Sequence, residues 1–217
     1  FDCHYVTSEV LAQPTTLIWH QEKSLPPIDV LIIPGGFSYG DYLRAGAIAR
    51  FSPIMDAVID FAQKGGFVLG ICNGFQILTE AGLLPGALLQ NRSTKFICEW
   101  TSLRVESNQC GFTHLYEQGE KISLPIAHAD GSYYLDADGL SDLEKNNQVV
   151  FRYVSETGET TAKANPNGSV NHIAGIRNKA GNVLGMMPHP ERAAEAILGG
   201  RDGFRLFQSL QSPREKK

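Results

Sequence analysis

Two segments of the sequence carry residue types that could do nucleophilic chemistry. The first is Gly70-Ile71-Cys72-Asn73-Gly74, a single cysteine flanked by two glycines. It has the G-x-nucleophile-x-G spacing of a nucleophile elbow, with Cys in place of Ser. The second is Pro188-His189-Pro190-Glu191, in which a histidine that could take a thiol proton stands beside a carboxylate that could orient it. A thiolate nucleophile needs such a base, and the base needs a third group to fix its tautomer. Pro190 steers His189 toward an extended backbone, because a residue before proline avoids the helical region. Side chains alternate along an extended segment, so His189 and Glu191 are expected on the same side. Each piece alone has a plainer explanation. Free cysteine is among the most buried residue types, and a His-Pro-Glu string taken alone is more often a satisfied surface histidine beside a solvated glutamate. Together, at the ends of two core strands, they point to acyl transfer through a thioester.

That chemistry also needs backbone N–H groups aimed at the oxygen on which charge develops. An elbow supplies one, the N–H of the residue after the nucleophile, here Asn73, at the positive end of a helix. The other is expected from the loop Pro34-Gly35-Gly36-Phe37-Ser38-Tyr39-Gly40-Asp41, whose glycines let a backbone approach closely. The plainer alternative is a tight turn after a buried strand.

These residues must be positioned by strands and helices. Phe67 to Ile71 is an apolar run of strand length ending at Cys72, and Phe75, Ile77, Leu78, Ala81 and Leu83 follow at roughly helical spacing. Asp29-Val30-Leu31-Ile32-Ile33 reads as a strand buried on both faces and runs into the glycine-rich loop. Thr15 to Trp19 is β-branched and aromatic, hence a predicted strand. Ile54, Val58, Ile59 and Phe61 mark a helix after Pro53, closed by Gly65-Gly66. Cys98–Val105 and Gln148–Val154 read as strands, with a polar-aromatic loop, Pro125 to Tyr134, between them. Ile173–Ile176 and Val183–Met187 are further strands, the second leading into His189. A last helix carries Phe204, Leu206, Phe207 and Leu210, before a charged tail from Arg214 to Lys217 that is expected to fray. The expected fold is α/β: a doubly wound, mostly parallel sheet with helices on both faces and antiparallel additions in the middle third. The first residues, with Val6, Val10 and Leu11 on one face, read as a helix where such a sheet opens on a strand. A first strand is therefore expected to be absent from this sequence.

At 217 residues the chain is expected to form one domain over residues 1–217. Its net charge of −4 argues against a nucleic-acid footprint, which would be basic and clustered. The six histidines are scattered without metal-ligand spacing. The four cysteines form no C-x-x-C pair and no dense framework, which favours a reducing cytoplasm. The first residues show no basic region followed by an apolar one, and the apolar stretch from Phe67 to Leu89 is interrupted by Asn73, Gln76, Glu80 and Pro85, so neither a secretory signal nor a membrane span is expected.

Gly70-Ile71-Cys72-Asn73-Gly74-x-Gln76 with Pro188-His189-Pro190-Glu191 resembles the class I, triad-type glutamine amidotransferases. Three longer strings are similar to the subunit I family of phosphoribosylformylglycinamidine synthase: Pro34 to Arg44, Pro125-Ile126-Ala127-His128, and Gly185 to Arg192. The likeness runs from about Trp19 to Gln208. The resemblance implies the flavodoxin-like amidotransferase fold. It also implies that Cys72 attacks the side-chain amide of glutamine and releases ammonia, with His189 and Glu191 completing the triad and Gly36 and Asn73 as oxyanion donors. Gln76 matches a residue that contacts the substrate glutamine, and Asn91 to Phe96 the loop beside its α-amino and α-carboxyl groups. The implied partners are a large synthetase subunit, which uses ATP and Mg²⁺ to convert formylglycinamide ribonucleotide to formylglycinamidine ribonucleotide, and a small bridging subunit. No cofactor or metal is implied for this subunit itself. Where the His128 loop of the family often carries Glu, this chain has the shorter Asp130. Two other readings remain: a docking domain without catalysis, against which the complete triad speaks, and a different cysteine hydrolase, against which the Gly-Phe-Ser-Tyr-Gly-Asp loop speaks.

Overall fold

The computed structural model describes residues 1–211. The charged tail from Arg214 to Lys217 lies outside them. The chain opens on a short helix, α1 (Asp2–Tyr5), continued by a π-helical turn, Val6–Val10. The central sheet is built from β1 (Val30–Ile33), β2 (Phe67–Ile71), β4 (Ile97–Val105), β5 (Lys121–His128), β7 (Val149–Val154), β8 (Ile173–Arg177) and β9 (Val183–Met186). A separate small ribbon pairs β3 (Ala87–Leu89) with β6 (Ser132–Tyr134). Helices α2 (Met55–Gln63), α3 (Asn73–Glu80), α4 (Ala137–Lys145) and α5 (Phe204–Gln211) complete the fold.

The sheet order is β1-β2-β9-β8-β7-β4-β5. Only β1 with β2 and β2 with β9 run parallel; the other four neighbouring pairs are antiparallel. The expected mostly parallel sheet is thus corrected to a mixed one. The reason lies in the connections. Parallel neighbours need a crossover, which α2 supplies between β1 and β2. The segment from β8 to β9 instead turns back within a few residues, where Asn178 Oδ1 accepts the backbone N–H groups of Gly181, Asn182 and Val183. A turn that short can join only antiparallel strands.

Two other expectations fail. Thr15 to Trp19 is irregular rather than a strand. β-Propensity describes fitness for a pleated surface, and among the described residues this segment has no ladder partner to pair with. Most of the loop expected from Pro125 to Tyr134 is strand, the end of β5 and all of β6. Pro125 lies on the edge strand, opposite Trp100, where a missing N–H removes no ladder bond. The helix α4 was not read from the sequence, although Asp136 caps it by accepting from Gly139 N at 2.8 Å, with Leu140 and Leu143 on its inner side.

The other elements match their patterns. α2 buries Met55, Val58 and Ala62 at helical spacing and ends at Lys64, before Gly65. α3 follows Cys72 directly, and α5 buries Leu206, Phe207 and Leu210. The three parallel strands send their carboxyl ends to one edge of the sheet. That edge collects the loop after Ile33, the cysteine after Ile71 and the histidine after Met187.

Candidate active site

The elbow is set by hard sterics. Cys72 sits at φ 50°, ψ −106°, a conformation that a side chain adopts only under constraint. Its backbone N–H donates to Met186 O at 2.7 Å, and its carbonyl accepts from Gln76 N at 3.1 Å, so it ends a strand and begins a helix at once. A Cβ on Gly70 would lie 2.8 Å from the backbone of Gly74. A Cβ on Gly74 would run into the carbonyl of Ile33 on the neighbouring strand. Strand, turn and helix therefore close on each other only with glycine at both places.

His189 follows β9 at φ −102°, ψ 89°, outside the helical region that a residue before proline avoids. Glu191 reaches it by a different route from the one expected. It lies in a 3-10 turn, Pro190–Ala193, and this turn, not strand alternation, brings the carboxylate back. His189 Nδ1 and Glu191 Oε1 are 2.5 Å apart, both side chains being buried. With Nδ1 donating to the carboxylate, Nε2 carries the free lone pair, and it has no hydrogen-bond partner among the described residues. The chain end of β5 holds the histidine from behind, Pro125 O accepting His189 N–H at 2.8 Å. The sheet curls until its last strand in order meets the residue that follows β9.

The thiol of Cys72 donates toward Ala127 O at 3.7 Å, again on β5. Burial pushes this thiol up to about 12; the Asn73 backbone amide and Arg192 pull the other way, while Glu191 and Asp41 add to the rise. The resting cysteine is a protonated thiol that needs a base. Gly35 joins the two side chains: a Cβ there would lie 2.7 Å from His189 Cε1 and 3.6 Å from Cys72 Cβ. Next to it Gly36 faces open space, with nothing within 4 Å of where a Cβ would stand. The structure therefore brings Cys72, His189, Glu191, Asn73 and the Gly35-Gly36 loop to one place.

Gln76 is buried, its amide turned inward: Oε1 accepts from Asn73 Nδ2 at 2.8 Å and Nε2 donates to Asp130 O at 2.5 Å. The Asn91–Phe96 loop lies beside the glycine-rich loop, the rings of Phe37 and Phe96 being 6.3 Å apart. Asn91 is a clamp that the sequence did not reveal. Its Nδ2 donates to Lys95 O and His128 O, and its Oδ1 accepts from Gly131 N at 3.1 Å. Oδ1 is thus an acceptor, so His128 Nδ1, 3.0 Å away, must be the donor. Burial, with His189 nearby, holds the His128 imidazole down to about 4 and hence neutral at pH 7. At the mouth, Asp41 is raised by partial burial and by Asp130. Among the described residues no group of three or more His, Cys, Asp or Glu side chains could hold a metal ion, and no helix is long and apolar enough to cross a membrane.

Residues 2–200 match the CobB/CobQ-like glutamine amidotransferase domain. The phosphoribosylformylglycinamidine synthase subunit PurQ of Moorella thermoacetica is 60% identical over 209 residues, covering 96% of this chain and 89% of that protein. The subunit PurQ of Trichormus variabilis is 59% identical over 209 residues, covering 96% of this chain and 90% of that one. A chain in the structure of PurLQS from Thermotoga maritima superposes with a TM-score of 0.76 at 49% identity, over 87% of this chain and 81% of that chain. The chain belongs to the CobB/CobQ-like glutamine amidotransferase family, and within it to the PurQ subunits of phosphoribosylformylglycinamidine synthase.

Proposed function

We propose that this chain hydrolyses glutamine to glutamate through a Cys72 thioester and hands the ammonia to a synthetase partner. The observation that carries the reading is the buried His189–Glu191 pair, which leaves Nε2 without a partner, on a ring that shares the Gly35 backbone with Cys72. Cys72 gives its proton to His189 Nε2, and the sulfur attacks the carboxamide carbon. The oxyanion forms where the backbone N–H groups of Gly36 and Asn73 converge, at the start of α3. His189 then protonates the leaving nitrogen, and ammonia departs as the C–N bond breaks. Water, deprotonated by His189, attacks the thioester, and glutamate leaves with the thiol restored. Glu191 holds the imidazole tautomer throughout and stabilises its charged form.

The match to a chain of the PurLQS assembly supports a large synthetase subunit and a small bridging subunit as partners. In this reading the synthetase uses ATP and Mg²⁺ to convert formylglycinamide ribonucleotide to formylglycinamidine ribonucleotide. The present chain contributes no cofactor or metal, and the reaction takes place in the cytoplasm. The Asn91–Phe96 loop lines the approach of glutamine, and Gln76 backs it from beneath through Asn73 and Asp130. The test is glutamate release from glutamine in the assembled complex. Cys72→Ala should lower it by about 10⁴-fold or more; wild-type hydrolysis by that variant would sink the mechanism.

A further inference from the structure

A run of hydrogen bonds crosses the site and joins three loops that are far apart in sequence. The backbone N–H of Ser38 donates to Asn73 Oδ1 at 3.2 Å, Asn73 Nδ2 donates to Gln76 Oε1 at 2.8 Å, and Gln76 Nε2 donates to Asp130 O at 2.5 Å. Both ends are backbone groups of fixed polarity, an N–H that can only donate and a carbonyl that can only accept. The two side-chain amides between them therefore have one consistent orientation. Asn73 and Gln76 are 3% and 4% exposed, so neither amide can trade its partners for water.

The position of Asn73 gives this run a consequence for catalysis. Its backbone N–H is one oxyanion donor, and its side chain holds Ser38, two residues beyond Gly36, the other donor. At Gly36 itself the loop has no side chain to hold it; its other contacts lie further along, the Tyr39 hydroxyl 3.3 Å from His20 Nδ1 and Ser52 Oγ and the Phe37 ring against Phe96. Gly36 touches nothing where a Cβ would stand, Phe37 is 64% exposed, and Tyr39, Gly40 and Asp41 all have left-handed φ values. We propose that the Asn73 side chain is a positioning group that ties the Gly36 loop to the elbow, so that the two oxyanion donors are held as one unit. The inference rests on reading Cys72 as the nucleophile and Gly36 and Asn73 as the donors. Preorganised donors stabilise a transition state only if their separation is set before charge develops, and a direct tether between the two loops sets it. The residue must accept from Ser38 and donate to Gln76 at once. Asparagine does both, whereas aspartate lacks the donor and alanine lacks both.

The test uses the assembled complex with glutamine as substrate, together with iodoacetamide and glutamate γ-semialdehyde as probes of Cys72. Alkylation by iodoacetamide forms no oxyanion, whereas the semialdehyde forms a tetrahedral adduct that does. Asn73→Ala should lower kcat by about 10- to 100-fold and weaken semialdehyde inhibition by a similar factor. The KM for glutamine and the alkylation rate should stay within about threefold of wild type. Ser38→Pro removes the same hydrogen bond from the other side, because proline has no backbone N–H. Added to Asn73→Ala it should cost less than about twofold more. An unchanged kcat, independent losses in the double variant, or alkylation that falls together with kcat would overturn the inference. Hydrolysis that survived Cys72→Ala would instead overturn the reading beneath it.

Discussion

The elbow and the Phe37–Arg44 loop follow neighbouring parallel strands and both place non-glycine residues at positive φ, yet they are held in different ways. In the elbow one residue, Cys72, is strained, and it is boxed in by contacts between the backbones of β1, β2 and α3. In the loop Tyr39, Asp41 and Leu43 are left-handed, while Tyr42 and Leu43 are mostly exposed. What restrains the loop is a set of separate side-chain contacts: Ser38 on Asn73, the Tyr39 hydroxyl near His20 and Ser52, Phe37 against Phe96, and Arg44 in a bidentate pair with Glu80 at the far end of α3. Cys72 is fixed by excluded volume, which tolerates no adjustment. The Phe37–Arg44 loop is fixed by a few side-chain contacts, which can break singly. Strain of this kind persists only where the surroundings over-determine it, and here they do so on one side of the site more than on the other.

The comparison can be broken most severely at the elbow. Gly74→Ala drives a methyl into the Ile33 carbonyl, and neither backbone can withdraw without separating α3 from β1. We expect a loss of about 3 kcal/mol or more, and a Tm lower by roughly 6–12 °C by calorimetry. A fall of less than about 2 °C would mean that the elbow is not over-determined.

A second measurement sharpens the other side, where β5 and the loop after it back the site through polar contacts. His128 is buried and neutral, held down to about 4 against an ordinary value of 6.5. The unfolded chain therefore binds a proton that the folded one refuses, and stability from this group falls as the pH drops from 6.5 toward 4. The expected cost is about 3 kcal/mol at pH 4 relative to pH 7. Urea unfolding of wild type and His128→Gln at both pH values reads it directly. The variant should lack that part of the slope, and parallel pH profiles would show that His128 is not the group refusing the proton.

The smallest effect is expected at Arg44→Ala. The guanidinium is half exposed, although Glu80 is nearly covered. Losing the pair should cost about 1 kcal/mol, and less in ~1 M salt, because water screens one end of it. A loss as large as that of Gly74→Ala would erase the distinction drawn between the two regions.

Much of the site was legible because its requirements are local. A turn too tight for Cβ atoms demands glycine around a nucleophile, so the elbow shows in five consecutive residues. A proline after His189 sets its backbone, so the histidine's extended entry could be read as well. Glu191 was found by the right pairing but through a 3-10 turn that strand alternation does not describe. Thr15 to Trp19 shows the limit of propensity: the residues suit a strand, but a strand exists only where a neighbour accepts its hydrogen bonds. Pro125 shows the converse, since a residue that discourages strands is harmless on an edge.

The amino-acid sequence by itself determined the chemistry, the glycine-bounded elbow, and the α/β alternation around it, because those follow from bond geometry and side-chain type within a few residues. Only the tertiary structure decided that the sheet is mixed and curls until Pro125 and Ala127 meet His189 and Cys72. It alone decided, too, that Asn73 faces Ser38 on one side and Gln76 on the other. Apart from Asn73 with Gln76, one turn on along α3, these pairings join residues dozens of positions apart. Their hydrogen bonds are chosen by which buried polar groups would otherwise go unpaired, and no spacing along the chain records that choice.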